Sequence, residues 1–91
     1  MKNIVKQKLI DGGCSIGSWI TLASPSVAEI MGGAGFDWLG IDAEHGAIGL
    51  ESVQMLMQAM AATPAMPIVR VAWNDRVPIK RVLDMGAPGI M

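Results

Sequence analysis

The stretch GFDWLGIDAEHG, residues 35–46, changes from apolar to charged within a few positions. It opens with an apolar run, residues 36–41, of the length and composition of a strand that is buried on both faces. Asp42, Glu44 and His45 follow at once. In a parallel β/α fold the carboxyl ends of the strands form the edge where ligands bind. We therefore expect the chemistry of this chain at that point.

Composition limits the class of protein. The 91 residues are 52% hydrophobic and 16% charged, with a formal net charge of −1. A chain this apolar is not a disordered segment, and its charge is not that of a nucleic-acid-binding surface. No apolar run reaches the roughly 18 residues that a membrane span needs. We expect a core-forming domain with neither nucleic acid nor membrane as a partner.

The amino-terminal region and the single cysteine bear on location. Cys14 has no second cysteine with which to form an internal disulfide. Lys2, Lys6 and Lys8 are mixed among apolar positions, so the first ten residues do not form the apolar core of a signal peptide. Together these features predict a cytoplasmic protein.

Strand and helix patterns alternate along the chain. Ser24-Pro25 has the signature of a helix N-terminus, Asn74-Asp75 supplies caps for a later helix, and glycines, Gly86 among them, follow the helical patterns. The patterns predict helices at residues 2–10, 25–31, 50–62 and 75–83, and strands at residues 15–23, 36–41, 68–73 and from 89 onward.

This alternation predicts an α/β fold with a parallel sheet covered by helices. A complete (βα)₈ TIM barrel needs on the order of 250 residues, so the chain would supply about three and a half of its eight βα units. Left alone, such a piece would expose strand edges and one face of its sheet. We interpret residues 1–91 as the N-terminal fragment of a single TIM-barrel domain. An independent doubly wound domain is the alternative.

His45 has two interpretations. It could be a structural residue in a loop, as isolated histidines usually are. Standing near two carboxylates at the end of a strand, it is also placed to titrate near neutrality and move a proton. A helical HExxH zinc site does not fit, because Ile48 and Gly49 stand where the second histidine is needed.

Arg70 lies within an apolar strand pattern, where a guanidinium loses hydration unless an anion meets it. One interpretation is a buried ion pair with Asp42 or Glu44 from the neighbouring strand. The other is a planar fork that holds a substrate carboxylate or a developing enolate. Both can hold at once.

Three further residues are candidates for the site. Asp84 falls in the last turn of a predicted helix, where a carboxylate opposes the helix dipole, and its position alone favours a solvated surface residue. Trp19 and Trp73 lie near the ends of predicted strands. They could line the mouth of a pocket or simply pack against the core.

Three stretches together resemble a known family. GSWITLASPSVAEIMGGAGFDWLGIDAEHG at 17–46, PIVRVAWND at 67–75 and LDMGAPGIM at 83–91 resemble the N-terminal part of the HpcH/HpaI family of metal-dependent pyruvate aldolases. The combination of DxEHG, VRxxWND and LDxGA in this order is specific, whereas none of these short motifs would suffice alone.

The resemblance implies a (βα)₈ barrel that cleaves a 4-hydroxy-2-oxo acid to pyruvate and an aldehyde. The substrate would be a 2-keto-3-deoxy sugar acid or a 4-hydroxy-2-oxo-dioate. In these terms His45 is the catalytic base, and Arg70 holds the pyruvyl oxygens and stabilises the enolate. Asp84 is implied to raise the basicity of the histidine. With Arg70, Trp19 is our candidate for contact with the substrate.

The resemblance also implies a divalent metal, Mg²⁺, Mn²⁺ or Co²⁺, held by a glutamate and an aspartate downstream of Met91. We therefore expect no metal ligand within this chain, although Asp42 and Glu44 could orient metal-bound water. The family further suggests a homohexamer. A Schiff-base mechanism would need a lysine facing the barrel interior, and the four lysines, Lys2, Lys6, Lys8 and Lys80, all fall on predicted helices.

Two other functions stay open. A related barrel could act as a lyase on a citrate-like or malyl-CoA-type substrate. Alternatively, the chain could be catalytically inactive and act only in assembly.

Overall fold

A computed structural model describes residues 2–91 of the chain. Helices and strands alternate, in the order α1 (Ile4–Ile10), β1 (Gly17–Ile20), α2 (Pro25–Gly32), β2 (Trp38–Asp42), α3 (Leu50–Met60), β3 (Met66–Arg70), α4 (Arg76–Asp84) and β4 (Gly89–Ile90). Within residues 2–91, no helix combines the length and the apolar character needed to cross a bilayer.

The four strands form one sheet in the order β1-β2-β3-β4, and each pair is parallel. Helices α2, α3 and α4 all contribute buried side chains to one core. Because βαβ crossovers are right-handed, strands that follow one another in space as in sequence place their helices on the same face. A doubly wound sheet needs a reversal of strand order, which this sheet does not show. The α/β class is confirmed, and the sheet is consistent with the N-terminal part of a barrel.

The two faces of the sheet differ in character. On the helix-covered face Ile20, Leu39, Ile41 and Val69 are at most 1% exposed. Each such aliphatic side chain stabilises the fold by about 1.5–3 kcal/mol. The opposite face carries the alternate residues of the strands. These include two tryptophans, a glycine and the charged pair at the carboxyl end of the sheet, namely Trp19, Trp38, Gly40, Asp42 and Arg70.

The predicted helix ends are confirmed at three positions. The Ser24 side chain accepts a hydrogen bond from the Val27 N–H, and Pro25 is the first residue of α2. Asp75 accepts from the Val77 N–H at the start of α4. Gly86, which follows the last turn of α4, has φ +92°, a left-handed conformation that other residues adopt at a cost.

The third strand is displaced from its predicted position. It spans Met66–Arg70, whereas the apolar pattern predicted residues 68–73, and Trp73 therefore lies in the following loop. The predicted strand followed Pro67, and proline has no N–H to donate within a sheet. It is tolerated inside β3 because β4 pairs only from Ile68 onward. The first strand is also shorter, Gly17–Ile20 in place of residues 15–23.

Helix α1 lies at the amino ends of the strands. Lys8 Nζ is 2.8 Å from Asp37 Oδ1, just before β2, and Asp37 Oδ2 accepts the Ile16 N–H at 2.8 Å. The hydrogen bond from Lys8, followed by that from Ile16, lowers the pKa of Asp37. Asn3 Nδ2 donates to the Pro88 carbonyl at 3.2 Å, ahead of β4. These contacts leave the opposite edge of the sheet, at Asp42 and Arg70, open.

Candidate active site

Asp42 ends β2 and sets the direction of the loop that follows. The residue is 3% exposed, and its Oδ1 accepts the backbone N–H of Glu44 at 3.1 Å and of His45 at 2.9 Å. An aspartate that bonds the backbone two and three residues ahead turns the chain sharply. A Cβ at Gly46 would lie 2.5 Å from the Asp42 carbonyl oxygen. Only glycine fits there, so the turn delivers Glu44 and His45 at the carboxyl end of the sheet.

Arg70 ends the neighbouring strand and is hydrogen-bonded to the carboxylate of Asp42. Its Nε donates to Asp42 Oδ1 at 3.1 Å and its Nη2 donates to Oδ2 at 2.6 Å. The two side chains are 28% and 4% exposed, so the pair is largely withdrawn from water. The Arg70 hydrogen bond holds the pKa of Asp42 well below its usual range, against the opposing effect of burial, and the two backbone N–H groups act in the same direction. The same contact raises the pKa of Arg70.

Glu44 lies between the two residues expected to do chemistry. Its Oε1 is 3.0 Å from His45 Nε2 and 3.7 Å from Arg70 Nε. His45 is otherwise open, because its side chain is 73% exposed. The structure therefore brings His45, Arg70 and both carboxylates together at one edge of the sheet.

Trp19, on β1, contacts this cluster from the side. The centre of its ring lies 4.5 Å from Arg70 Cζ, which is the geometry of a cation–π contact. Trp19 is 36% exposed and so combines packing with an accessible surface. Sequence reasoning placed it near a pocket but did not predict its contact with the guanidinium.

A groove of about 580 Å³ lies at the carboxyl end of β3. Glu44 and Arg70 form part of its wall, and the loop after β3 adds Trp73 and Asn74. Trp73 is 73% exposed, so it does not pack in the core that residues 2–91 form. Asn74 was interpreted from the sequence only as a possible helix cap, and its position in this wall was missed.

Asp84 lies elsewhere. It is the last residue of α4, is exposed, and makes no hydrogen bond or ion pair within the described part of the chain. Helix α4 starts beside the carboxyl end of β3 and runs back toward the start of β4. Asp84 is thus at the far end of the sheet from His45 within one chain, and its effect on the histidine stays a prediction from the resemblance.

The hydrogen bonds of the cluster show which of its atoms remain free to contact a ligand. Asp42 Oδ1 accepts three hydrogen bonds and is fully engaged, whereas Oδ2 accepts one. Across residues 2–91 no three His, Cys, Asp or Glu side chains are grouped to hold a metal. Arg70 still has the two N–H groups of Nη1 and one of Nη2, for which no acceptor occurs in the described residues.

Replacing Asp42 by asparagine should destabilise the fold by about 3 kcal/mol at pH 7, because it leaves a largely buried guanidinium without its counter-ion. A carboxyl whose pKa is lowered by folding stabilises the native state above its ordinary pKa of 3.8, and that contribution is lost as the pH falls below this value. The stability difference between wild type and Asp42→Asn should therefore shrink below about pH 4. Chemical denaturation of the full-length protein at several pH values measures it.

The matched control is Asp11→Asn, an exposed carboxylate at the end of α1, which should change stability by less than about 0.5 kcal/mol. A difference between wild type and Asp42→Asn that is absent at pH 7, or does not change with pH, would contradict the role given to the ion pair.

Comparison with known proteins gives the relationships of the chain. The profile of the HpcH/HpaI aldolase/citrate lyase family matches residues 15–91. A 4-hydroxy-2-oxo-heptane-1,7-dioate aldolase from Salmonella dublin is 46% identical over 91 residues, which are all of this chain and 35% of that protein. The chain thus spans about a third of the length of the curated relatives that it matches.

Solved structures agree with this relationship. An HpcH/HpaI aldolase/citrate lyase family protein from Burkholderia cenocepacia J2315 superposes with a TM-score of 0.92 at 40% identity, covering 99% of this chain and 36% of that one. The citrate synthase SbnG superposes with a TM-score of 0.84 at 37% identity, covering 94% of this chain and 35% of that one. The chain belongs to the HpcH/HpaI aldolase/citrate lyase family.

Proposed function

We propose that this chain forms the N-terminal part of a TIM-barrel aldolase that cleaves a 4-hydroxy-2-oxo acid to pyruvate and an aldehyde. The substrate would be a 4-hydroxy-2-oxo-dioate, in keeping with the name of the Salmonella dublin relative, or a 2-keto-3-deoxy sugar acid. Residues 1–91 would be one segment of a single barrel domain, whose remaining strands would cover the open face of the sheet.

One observation carries the proposal. Arg70 ends β3, His45 lies in the turn that follows the neighbouring parallel strand β2, and Glu44 Oε1 is 3.0 Å from His45 Nε2 and 3.7 Å from Arg70 Nε. A base and an anion-binding fork are therefore within reach of one small molecule, which is what a retro-aldol reaction needs.

Each residue would have a distinct task in that reaction. The Nη1 and Nη2 edge of Arg70 would bind the carboxylate and 2-oxo oxygens of the substrate and stabilise the enolate that develops as the C3–C4 bond breaks. His45 would take the proton of the C4 hydroxyl, directly or through a water, and could return a proton to C3 of the enolate. Asp42 and Glu44 would hold the two groups in place.

A divalent cation, Mg²⁺, Mn²⁺ or Co²⁺, belongs to the proposal, with ligands from outside residues 2–91. Asp42, Glu44 and Arg70 together carry a net charge of −1, so this part of the site alone would repel an anionic substrate. An added positive charge would correct that balance. Residues 2–91 would contribute at most a contact from Glu44 to a water on the cation.

Turnover by the full-length protein tests the proposal. Pyruvate release from 4-hydroxy-2-oxo acids, followed with a coupled dehydrogenase, should fall to background after chelation and return on adding Mg²⁺, Mn²⁺ or Co²⁺. Turnover that survives exhaustive chelation would contradict the metal. No pyruvate release from any 4-hydroxy-2-oxo acid would contradict the aldolase and favour an inactive assembly subunit.

A second candidate is a lyase or synthase acting on a citrate-like substrate, favoured by the likeness to the citrate synthase SbnG. The same guanidinium would then bind a carboxylate of a larger acid. Formation or cleavage of citrate, assayed beside pyruvate release, separates the two candidates.

Location and assembly complete the proposal. The free, exposed thiol of Cys14 supports a cytoplasmic location, where thiols stay reduced. A homohexamer is expected from the family, and light scattering coupled to size-exclusion chromatography would measure it.

A further inference from the structure

The uncovered face of the sheet carries two tryptophans, each lying across a glycine of the neighbouring strand. Trp19 is opposite Gly40 in the register, and a Cβ at Gly40 would come within 2.5 Å of its ring. Trp38 is opposite Gly17, where a Cβ would overlap its ring. A glycine inside a strand often marks such a close approach. Because Gly40 and Gly17 have no side chains, both indole rings can pack against the backbone of the neighbouring strand.

The rings and the guanidinium form a stack along this face. Trp38 meets Trp19 edge to face, with ring centres 6.1 Å apart and planes at 85°. The Trp19 ring in turn lies 4.5 Å from Arg70 Cζ. Arg70 is thus held on its Nε and Nη2 edge by Asp42, and its Cζ lies over the Trp19 ring.

These two contacts restrain different motions. The bidentate pair with Asp42 fixes the distance between the guanidinium and the carboxylate, and it fixes which edge of the guanidinium faces Asp42. The guanidinium plane can still tilt about the axis that joins the two groups. The Trp19 ring below Cζ restrains that tilt. With both in place, the Nη1 and Nη2 edge, which has no acceptor among residues 2–91, points in one direction.

We infer that Trp19 is a positioning residue, which orients Arg70 toward the substrate, and that Gly40 makes this possible by leaving room for the indole. This inference rests on the proposed function, and it shifts Trp19 from the substrate-contacting role expected at a pocket mouth to one exerted through Arg70. Substituting either residue should then misdirect the same guanidinium.

Crystal structures of full-length variants test the orientation without reference to activity. In Trp19→Leu and in Gly40→Ala the Arg70 guanidinium should leave its present plane, whereas Trp19→Phe should keep it. Gly33→Ala is the matched control, because Gly33 has no neighbour within 3.4 Å of its added Cβ and lies at the exposed end of α2. An Arg70 that keeps its plane in both Trp19→Leu and Gly40→Ala would overturn the inference.

Kinetics test the consequence. Trp19→Leu and Gly40→Ala should each lower kcat/KM for the 4-hydroxy-2-oxo acid about tenfold, the size expected of a partly desolvated cation–π contact. Trp19→Phe should keep most of the wild-type kcat/KM, and Gly33→Ala should leave kcat/KM unchanged. The full-length Gly40→Ala protein retains every functional side chain, so it remains decisive if Trp19→Leu fails to fold.

A double variant separates positioning from general packing. In an Arg70→Lys background Trp19→Leu should cost less than about twofold, because an ammonium group has no plane for a ring to fix. A full tenfold loss in that background would mean that Trp19 acts independently of Arg70. If wild type releases no pyruvate, the proposed function fails while the crystal structures still decide the orientation. If wild type is active and the variants match it, only this inference fails.

Discussion

Arg70→Lys should lower kcat/KM for retro-aldol cleavage by at least about a hundredfold, the usual cost of losing a donor that faces a developing oxyanion. Lysine keeps the positive charge beside Asp42, so the fold should survive. It lacks the planar fork that bonds one carboxylate along one edge and presents a second edge to the substrate. Steady-state turnover of the full-length variant, with thermal unfolding as a check on folding, measures the effect.

Lysine is a better replacement than alanine for this test. Arg70→Ala would leave the carboxylate of Asp42, 3% exposed, with only the two backbone N–H groups of its turn. Breaking a buried pair in this way costs about 3–5 kcal/mol, which would mix instability with lost chemistry. Arg81→Lys, an exposed residue in the last turn of α4, is the matched control and should retain full activity. Near-normal turnover of Arg70→Lys would end the anion-clamp hypothesis.

His45→Gln should slow the exchange of the methyl protons of pyruvate with deuterated water by about 10²- to 10⁴-fold, the typical contribution of a positioned general base. The experiment isolates proton transfer at C3 from cleavage of the C3–C4 bond. Because 73% of the His45 side chain is exposed, the replacement should leave the thermal stability of the protein unchanged. Proton NMR of pyruvate with the full-length protein follows the exchange.

The matched control for that variant is Gln54→Ala, an exposed side chain on α3, which should exchange pyruvate protons at the wild-type rate. His45 is the chain's single histidine, so no second imidazole in this segment could take its place. An exchange rate that is the same in His45→Gln and in wild type would remove His45 from the role of base.

The order of the elements was predictable because strands show as apolar runs and helices as apolar residues at helical spacing, in some cases with a cap residue before them. Ser24 and Asp75 illustrate this, since both accept the hydrogen bond that their position predicts. The limits of β3 were not predictable from the same signals. Residues 71–73 are as apolar as those of the strand, yet β3 ends at Arg70. Pro67 lies inside β3 because β4 pairs only from Ile68 onward, and that pairing is not visible in the sequence.

The residues of the candidate site were predictable from the sequence, but not all of the contacts between them were. A guanidinium in an apolar strand must meet an anion, so a pair between Arg70 and Asp42 or Glu44 was expected, and the structure shows the bidentate contact with Asp42. The contact with Trp19 depends on the register that sets Gly40 beside it, which one sequence does not reveal. Gly40 within a strand was the available signal.

Asp84 is a residue for which position and motif predict different roles. Its position in the sequence suggests a surface residue, its motif suggests a catalytic one, and within one chain it lies exposed at the end of α4. Local patterns report which residues share an edge of a sheet, but they do not report contacts that an assembled protein adds.

The account depends on one arrangement, in which Arg70 and His45 act on the same 2-oxo acid. A crystal structure of the full-length protein with pyruvate bound tests it most directly. We expect Nη1 or Nη2 of Arg70 within about 3.2 Å of a pyruvate oxygen, and His45 within hydrogen-bonding reach of C3 or of a water beside it. Pyruvate bound away from Arg70, or with His45 directed to a separate space, would contradict the account.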